Sequence, residues 1–171
     1  MIVLMGPAGA GKTTVGTALA AALGWPFVDA DDFHSTENRL RLSRGEALTD
    51  AERAPWLASL HAEIERRLAR GESMVLACSA LKRSYRDALA PRELRERRQV
   101  RFVNLHVSPR RLDERLHARA GHFAPAELLA SQLATFEEPA PDEGILTLDG
   151  EQSVPALVER IQHALGLVAD R

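Results

Sequence analysis

The segment Gly6-Pro7-Ala8-Gly9-Ala10-Gly11-Lys12-Thr13 sets glycine at both ends of a short loop and follows the second with lysine and a hydroxyl residue. This spacing suits the chemistry of holding phosphate. Glycines let backbone N–H groups turn inward around an anion, and the N-terminus of a following helix adds positive potential. Lys12 has the reach for the β- and γ-phosphates of a nucleotide, while the Thr13 hydroxyl is a hard oxygen ligand for Mg²⁺. Gly6, Ala8, Gly9, Ala10, Gly11, Lys12, Thr13 and Thr14 are therefore candidates for binding ATP with its Mg²⁺.

A second cluster, Asp29, Asp31 and Asp32, follows soon after. A carboxylate there can take a hydroxyl proton or hold water on Mg²⁺. Asp29 and Asp31 point the same way if the strand before them runs through both. The competing reading is that these aspartates cap a helix or solvate a turn; beside a phosphate loop the chemical reading is preferred. Arg115 and Arg119, four residues apart, share a face if they lie on one helix. His34, His117 and His122 have no zinc spacing, and a single cysteine, Cys78, offers no cluster to assist them.

The elements that must position these groups alternate in type. Ile2–Met5 is an apolar run ending at the glycine loop, as for a buried parallel strand. Residues 12–23, closed by Gly24, read as a helix, and Phe27-Val28 as the strand before the aspartates. Residues 33–50 are polar and arginine-rich, with room for one short helix. A longer helix runs to Arg70, starting near Ala51 by the Thr49/Glu52 capping-box spacing or near Pro55 by first-turn proline preference. Further strands are expected at 74–78, 100–107 and 145–148, and helices at 82–89, 108–119, 125–136 and 153–165. Strands alternating with helices imply a parallel sheet covered on both faces, whose ligands sit at the carboxyl ends of the strands.

Bulk properties narrow the class. A chain of 171 residues is the size of one domain. Its formal net charge of −2 gives no electrostatic reason for a nucleic-acid or membrane partner. One cysteine suits a reducing compartment, and no basic leader or long apolar run is seen, so a cytoplasmic location is expected. Loops of this pattern also serve GTPase switches, motors and transporters. The Asn-Lys-x-Asp guanine-reading segment is missing, since Asn38 and Asn104 precede Arg39 and Leu105.

More specific segments extend the motif. Asp29-Ala30-Asp31-Asp32-Phe33-His34, Arg53-Ala54-Pro55-Trp56-Leu57, Cys78-Ser79-Ala80-Leu81-Lys82 with Tyr85-Arg86-Asp87, and Arg119-Ala120-Gly121-His122-Phe123 follow in order, with Ser131-Gln132 and Glu138-Pro139 after them. Together they resemble the gluconate kinases. Leu42, Ala47 and Leu133 depart mildly from that family's usual methionine, proline and phenylalanine.

The resemblance implies an α/β, three-layer P-loop kinase fold with a five-stranded parallel sheet flanked by helices and a helical lid. It implies one kinase domain over residues 1–171 with the lid at about 110–135, ATP and Mg²⁺ as cofactors, gluconate as substrate, and a cytoplasmic homodimer. By the same resemblance Asp31 is the base that orients the gluconate 6-hydroxyl, and Asp29 supports Mg²⁺ with Thr13. Lys12, Arg115 and Arg119 screen the transferring phosphate. His34, Arg53, Lys82, Arg86, His122 and Gln132 are candidates for the sugar acid, Arg53 and Arg86 for its carboxylate, because guanidinium binds carboxylate bidentately. The alternatives are a related kinase of shikimate or another sugar acid, for which Ser79-Ala80-Leu81 replaces the expected triple glycine, and a nucleotide-binding regulator without catalysis.

Overall fold

Five short strands, Ile2–Met5 (β1), Phe27–Asp29 (β2), Val75–Ala77 (β3), Arg101–His106 (β4) and Leu146–Asp149 (β5), form one wholly parallel sheet in the order β2-β3-β1-β4-β5. They belong to a computed structural model that describes residues 1–118 and 126–167. The central strands read as apolar runs because both their faces are covered. Ile2 and Leu4 pack with Val75 and Val103 on one side, against Val15 and Leu19 of helix α1 (Lys12–Leu23) and Leu157 and Ile161 of α8 (Val154–Ala164). Val3 and Met5 pack with Leu76 and Phe102 on the other, against Trp56, Leu60 and Ile64 of α3 (Asp50–Ala69) and Tyr85 and Leu89 of α4 (Arg83–Leu89). The result is the expected three-layer arrangement.

Register decides where the chemistry goes. Asp29 pairs with Ala77, and Ala77 with Leu4, so β1, β2 and β3 end together at one edge of the sheet. The phosphate loop, the acidic cluster and the segment after β3 leave from that edge.

Three local expectations are settled or revised. The second strand stops at Asp29 instead of running through Asp31. Asp29 caps a 3-10 turn at Ala30–Phe33, its Oδ1 accepting the Asp31 N–H at 3.0 Å. The long helix begins at Asp50 with a complete Thr49/Glu52 capping box. Pro55 then lies in the second turn, where its missing N–H leaves the carbonyl of exposed Ala51 to water. A short helix, Arg92–Glu96 (α5), was not expected, because five residues are too few to show a period. The remaining helices are Thr36–Ser43 (α2), Pro109–Ala118 (α6) and Ala126–Thr135 (α7).

Candidate active site

The phosphate loop is shaped by backbone positions closed to side chains. Gly6 sits at φ 140°, and a Cβ there would lie 3.0 Å from the Ala10 Cβ and 3.1 Å from the Leu105 carbonyl oxygen. Gly11, the N-cap of α1, sits at φ 97° and has no side chain to cap the helix, so the positive end of α1 opens on the loop. The Gly6 N–H donates to the Ser79 carbonyl at 3.3 Å, tying the loop to the segment after β3. Lys12 Nζ donates to the Pro7 carbonyl at 2.9 Å.

Two side chains from distant helices grip this loop. Gln132 of α7 accepts the Ala8 N–H on its Oε1 at 2.7 Å. Arg115 of α6 donates through Nη1 to the carbonyls of Gly9 and Ala10, at 3.3 and 3.4 Å, and through Nη2 to that of Gly150 at 2.9 Å. Arg115, expected to face the transferring phosphate, here braces the loop through these carbonyls and is not among the residues that line the cleft. Arg119 and His122 lie outside the described residues.

The acidic cluster divides its work. Thr13 Oγ1 donates to Asp29 Oδ2 at 3.4 Å, so a hydroxyl and a carboxylate converge beside the loop. These are hard oxygen groups, and Mg²⁺ commonly takes one or two protein oxygens with phosphates and water completing its shell; the pair fits that ion. Asp31 lines the cleft, open to its water yet enclosed by protein on most sides. That enclosure, with Asp29 and Asp32 adding repulsion, raises its carboxyl above the usual range despite the opposing charge of Lys12. Asp32 does not line the cleft.

His34 and Arg53 line the same cleft. His34 is buried and stacks on Trp56 with ring centroids 4.4 Å apart and planes 9° from parallel. Trp56 Nε1 donates to the Ala30 carbonyl at 2.7 Å, fixing the acidic turn to α3. Burial, helped by Arg53 and Arg39, lowers the His34 pKa to about 4, so the imidazole is neutral near pH 7, and its buried Nδ1 has no hydrogen-bond partner among the described residues. Arg53 Nη1 donates to the Tyr85 hydroxyl at 2.8 Å. The cleft has a volume of about 260 Å³ and is also lined by Ser79.

Two predicted substrate ligands are reassigned. Arg86 is fully buried, its Nε and Nη2 held by Glu143 at 2.7 and 2.8 Å and its Nη1 by the carbonyls of Ala80, Leu81 and Glu137. It clamps the turn at Ala80, whose φ of 45° is strained for a residue with a Cβ, and has nothing left for a ligand. Lys82 is not among the residues lining the cleft, and its Nζ pairs with Asp50 at 2.7 and 3.0 Å. Sequence reasoning gave no site role to Ser79, although its place just beyond a strand end was a usable signal. Tyr85 and Asp50 had no such signal, being 35 residues apart.

A family model described as an AAA domain matches residues 1–139. The chain is 45% identical to the gluconokinase of Gluconobacter oxydans (strain 621H), over 94% of this chain and 88% of that protein. A crystal structure of a sugar kinase from Janibacter sp. HTCC2649 matches with a TM-score of 0.87 and 42% identity, covering 98% and 94% of the two chains. A gluconokinase from Sinorhizobium meliloti 1021 matches at 0.81 and 43%, covering 97% and 91%. With identity of this level along nearly the whole length, over a sheet that gathers the phosphate loop and Asp31 at one edge, the chain belongs to the gluconokinase family of P-loop kinases.

Proposed function

We propose that this protein transfers the γ-phosphoryl group of ATP to the 6-hydroxyl of D-gluconate, giving 6-phospho-D-gluconate and ADP. The observation that supports the reading is the cleft itself, whose lining brings together the phosphate loop, Asp31 and Arg53. Lys12 and the first amides of α1 hold the phosphates. Asp31 receives the proton of the 6-hydroxyl as the new P–O bond forms and the bond to ADP breaks. Thr13 and Asp29 would hold Mg²⁺, which supplies positive charge to the β- and γ-phosphate oxygens when bound. Arg53 takes the carboxylate, and neutral His34 offers hydrogen bonds to sugar hydroxyls. Gln132, on the loop amide of Ala8, senses the nucleotide side of the cleft rather than the sugar alone.

In this reading the chain is a single catalytic domain with residues of about 110–135 as its lid, where Arg119 and His122 close on the phosphate and the sugar. It works as a cytoplasmic homodimer, which sedimentation of the purified protein tests. Among the described residues no helix is long and apolar enough to cross a membrane.

An ADP-release assay with ATP and Mg²⁺ against gluconate, other aldonic acids, shikimate and AMP tests the assignment. Turnover that depends on gluconate is the expected result. Turnover with shikimate alone, or with none of these acceptors, overturns it.

A further inference from the structure

We infer that Tyr85 and Asp50 are positioning residues that set the preference of the cleft for an acidic acceptor, by orienting Arg53 without neutralising it. The inference rests on the gluconate reading and deepens it.

The chain of contacts is directional. Arg53 Nη1 donates to the Tyr85 hydroxyl, and that hydroxyl donates to Asp50 Oδ1. A guanidinium can only donate and a carboxylate can only accept, so a hydroxyl between them satisfies both through one oxygen. Asp50 is in turn held on both oxygens by Lys82 Nζ. Its charge is matched first by that lysine; Arg53 acts on it more weakly through space, and the hydrogen-bonded link between the two runs through the phenol. No carboxylate among the described residues lies within ion-pair distance of Arg53, which nevertheless lines the cleft. A direct Asp50–Arg53 pair would compete with an incoming carboxylate. The relay keeps the guanidinium in place and leaves its charge for the ligand.

The packing supports this role. Tyr85 is only 5% exposed, and the Arg53 and Lys82 cations lie 5.4 and 5.3 Å from the centre of its ring. Asp50 and Arg53 stand one turn apart at the start of α3, while Lys82 is the N-cap of α4 and Tyr85 lies in its first turn. The network therefore locks the starts of two helices together around the guanidinium.

Tyr85→Phe keeps the ring and removes both hydrogen bonds. The expected result is a gluconate KM raised about tenfold, a kcat within about threefold of the parent, and an unchanged ATP KM. The preference for gluconate over the uncharged gluconamide should fall by a similar factor. Asp50→Asn, which keeps an acceptor for the phenol but frees Lys82, should shift the gluconate KM the same way by a smaller factor. A folded Tyr85→Phe enzyme with parental gluconate KM and gluconamide preference overturns the inference. So does a loss shared equally by both substrates, which marks a structural role only. If Tyr85→Phe does not fold, Asp50→Asn decides on the same KM and preference readouts. Failure of the parent enzyme to phosphorylate gluconate defeats the functional reading instead, and is seen before any variant is made.

Discussion

Asp31 and Asp32 are adjacent in sequence, yet of the two Asp31 alone lines the cleft, where burial and Asp29 raise its carboxyl. Asp31→Asn should keep nucleotide binding and lose at least about a hundredfold in kcat, as loss of a general base does; survival of activity there, with loss in Asp32→Asn, would move the base to Asp32. Because Asp31 acts ionised, kcat/KM should rise with pH through a pKa above that of a free aspartate. His34 makes the opposite kind of demand. Its folded pKa of about 4 lies below the ordinary 6.5, so the unfolded chain binds the extra proton first as pH falls. Stability is unaffected above about pH 7 and declines between 6.5 and 4. Near pH 5 the loss is about 2 kcal/mol. Denaturant titrations at pH 7 and 5 measure it, and His34→Phe, which keeps a ring on Trp56, should remove most of that difference. The pattern Asp-x-Asp-Asp was legible as chemistry, but not which aspartate lines the cleft, because the cleft is formed with Trp56, Ser79 and other groups far away in the chain.

Helices were legible where their ends carry their own signals. Thr49 and Glu52 satisfy each other across one turn, so the start of α3 is written within four residues. Arg86 is the contrary case. From its helix alone it was a free guanidinium suited to a carboxylate, and its true partner, Glu143, stands 57 residues later. Both side chains are at most 1% exposed. Burial works against the Glu143 charge, yet hydrogen bonds from Arg86 and the Ala140 N–H outweigh it and hold the carboxyl below the usual range. Arg86→Ala would strand that charge and should cost about 3–5 kcal/mol in urea unfolding. Replacing both partners by apolar residues, Arg86→Met with Glu143→Leu, should recover only part of the loss, because the carbonyls of Ala80, Leu81 and Glu137 still lose their donor.

At the scale of the molecule, the covered parallel sheet keeps Cys78 out of reach, with burial pushing its thiol up to about 12. A thiol-reactive disulfide reagent at pH 8 should leave the folded protein unmodified and label it only as fast as it opens. Labelling much faster than unfolding would contradict the packing around β3. That sheet also shows how the fold was divided between local and global causes. The sequence by itself determined the parallel three-layer class, the phosphate loop and the strand ends that bear chemistry, because apolar runs, glycine spacing and caps act within a few residues. Only the tertiary structure decided which charges face the cleft. Register brought Asp29 level with Ala77 and Leu4, α6 turned Arg115 onto the loop carbonyls, Glu143 claimed Arg86, and Tyr85, bonded to Asp50, took a hydrogen bond from Arg53 in the cleft lining. A charged side chain goes where its partner is, and in this chain the partners lie tens of residues away.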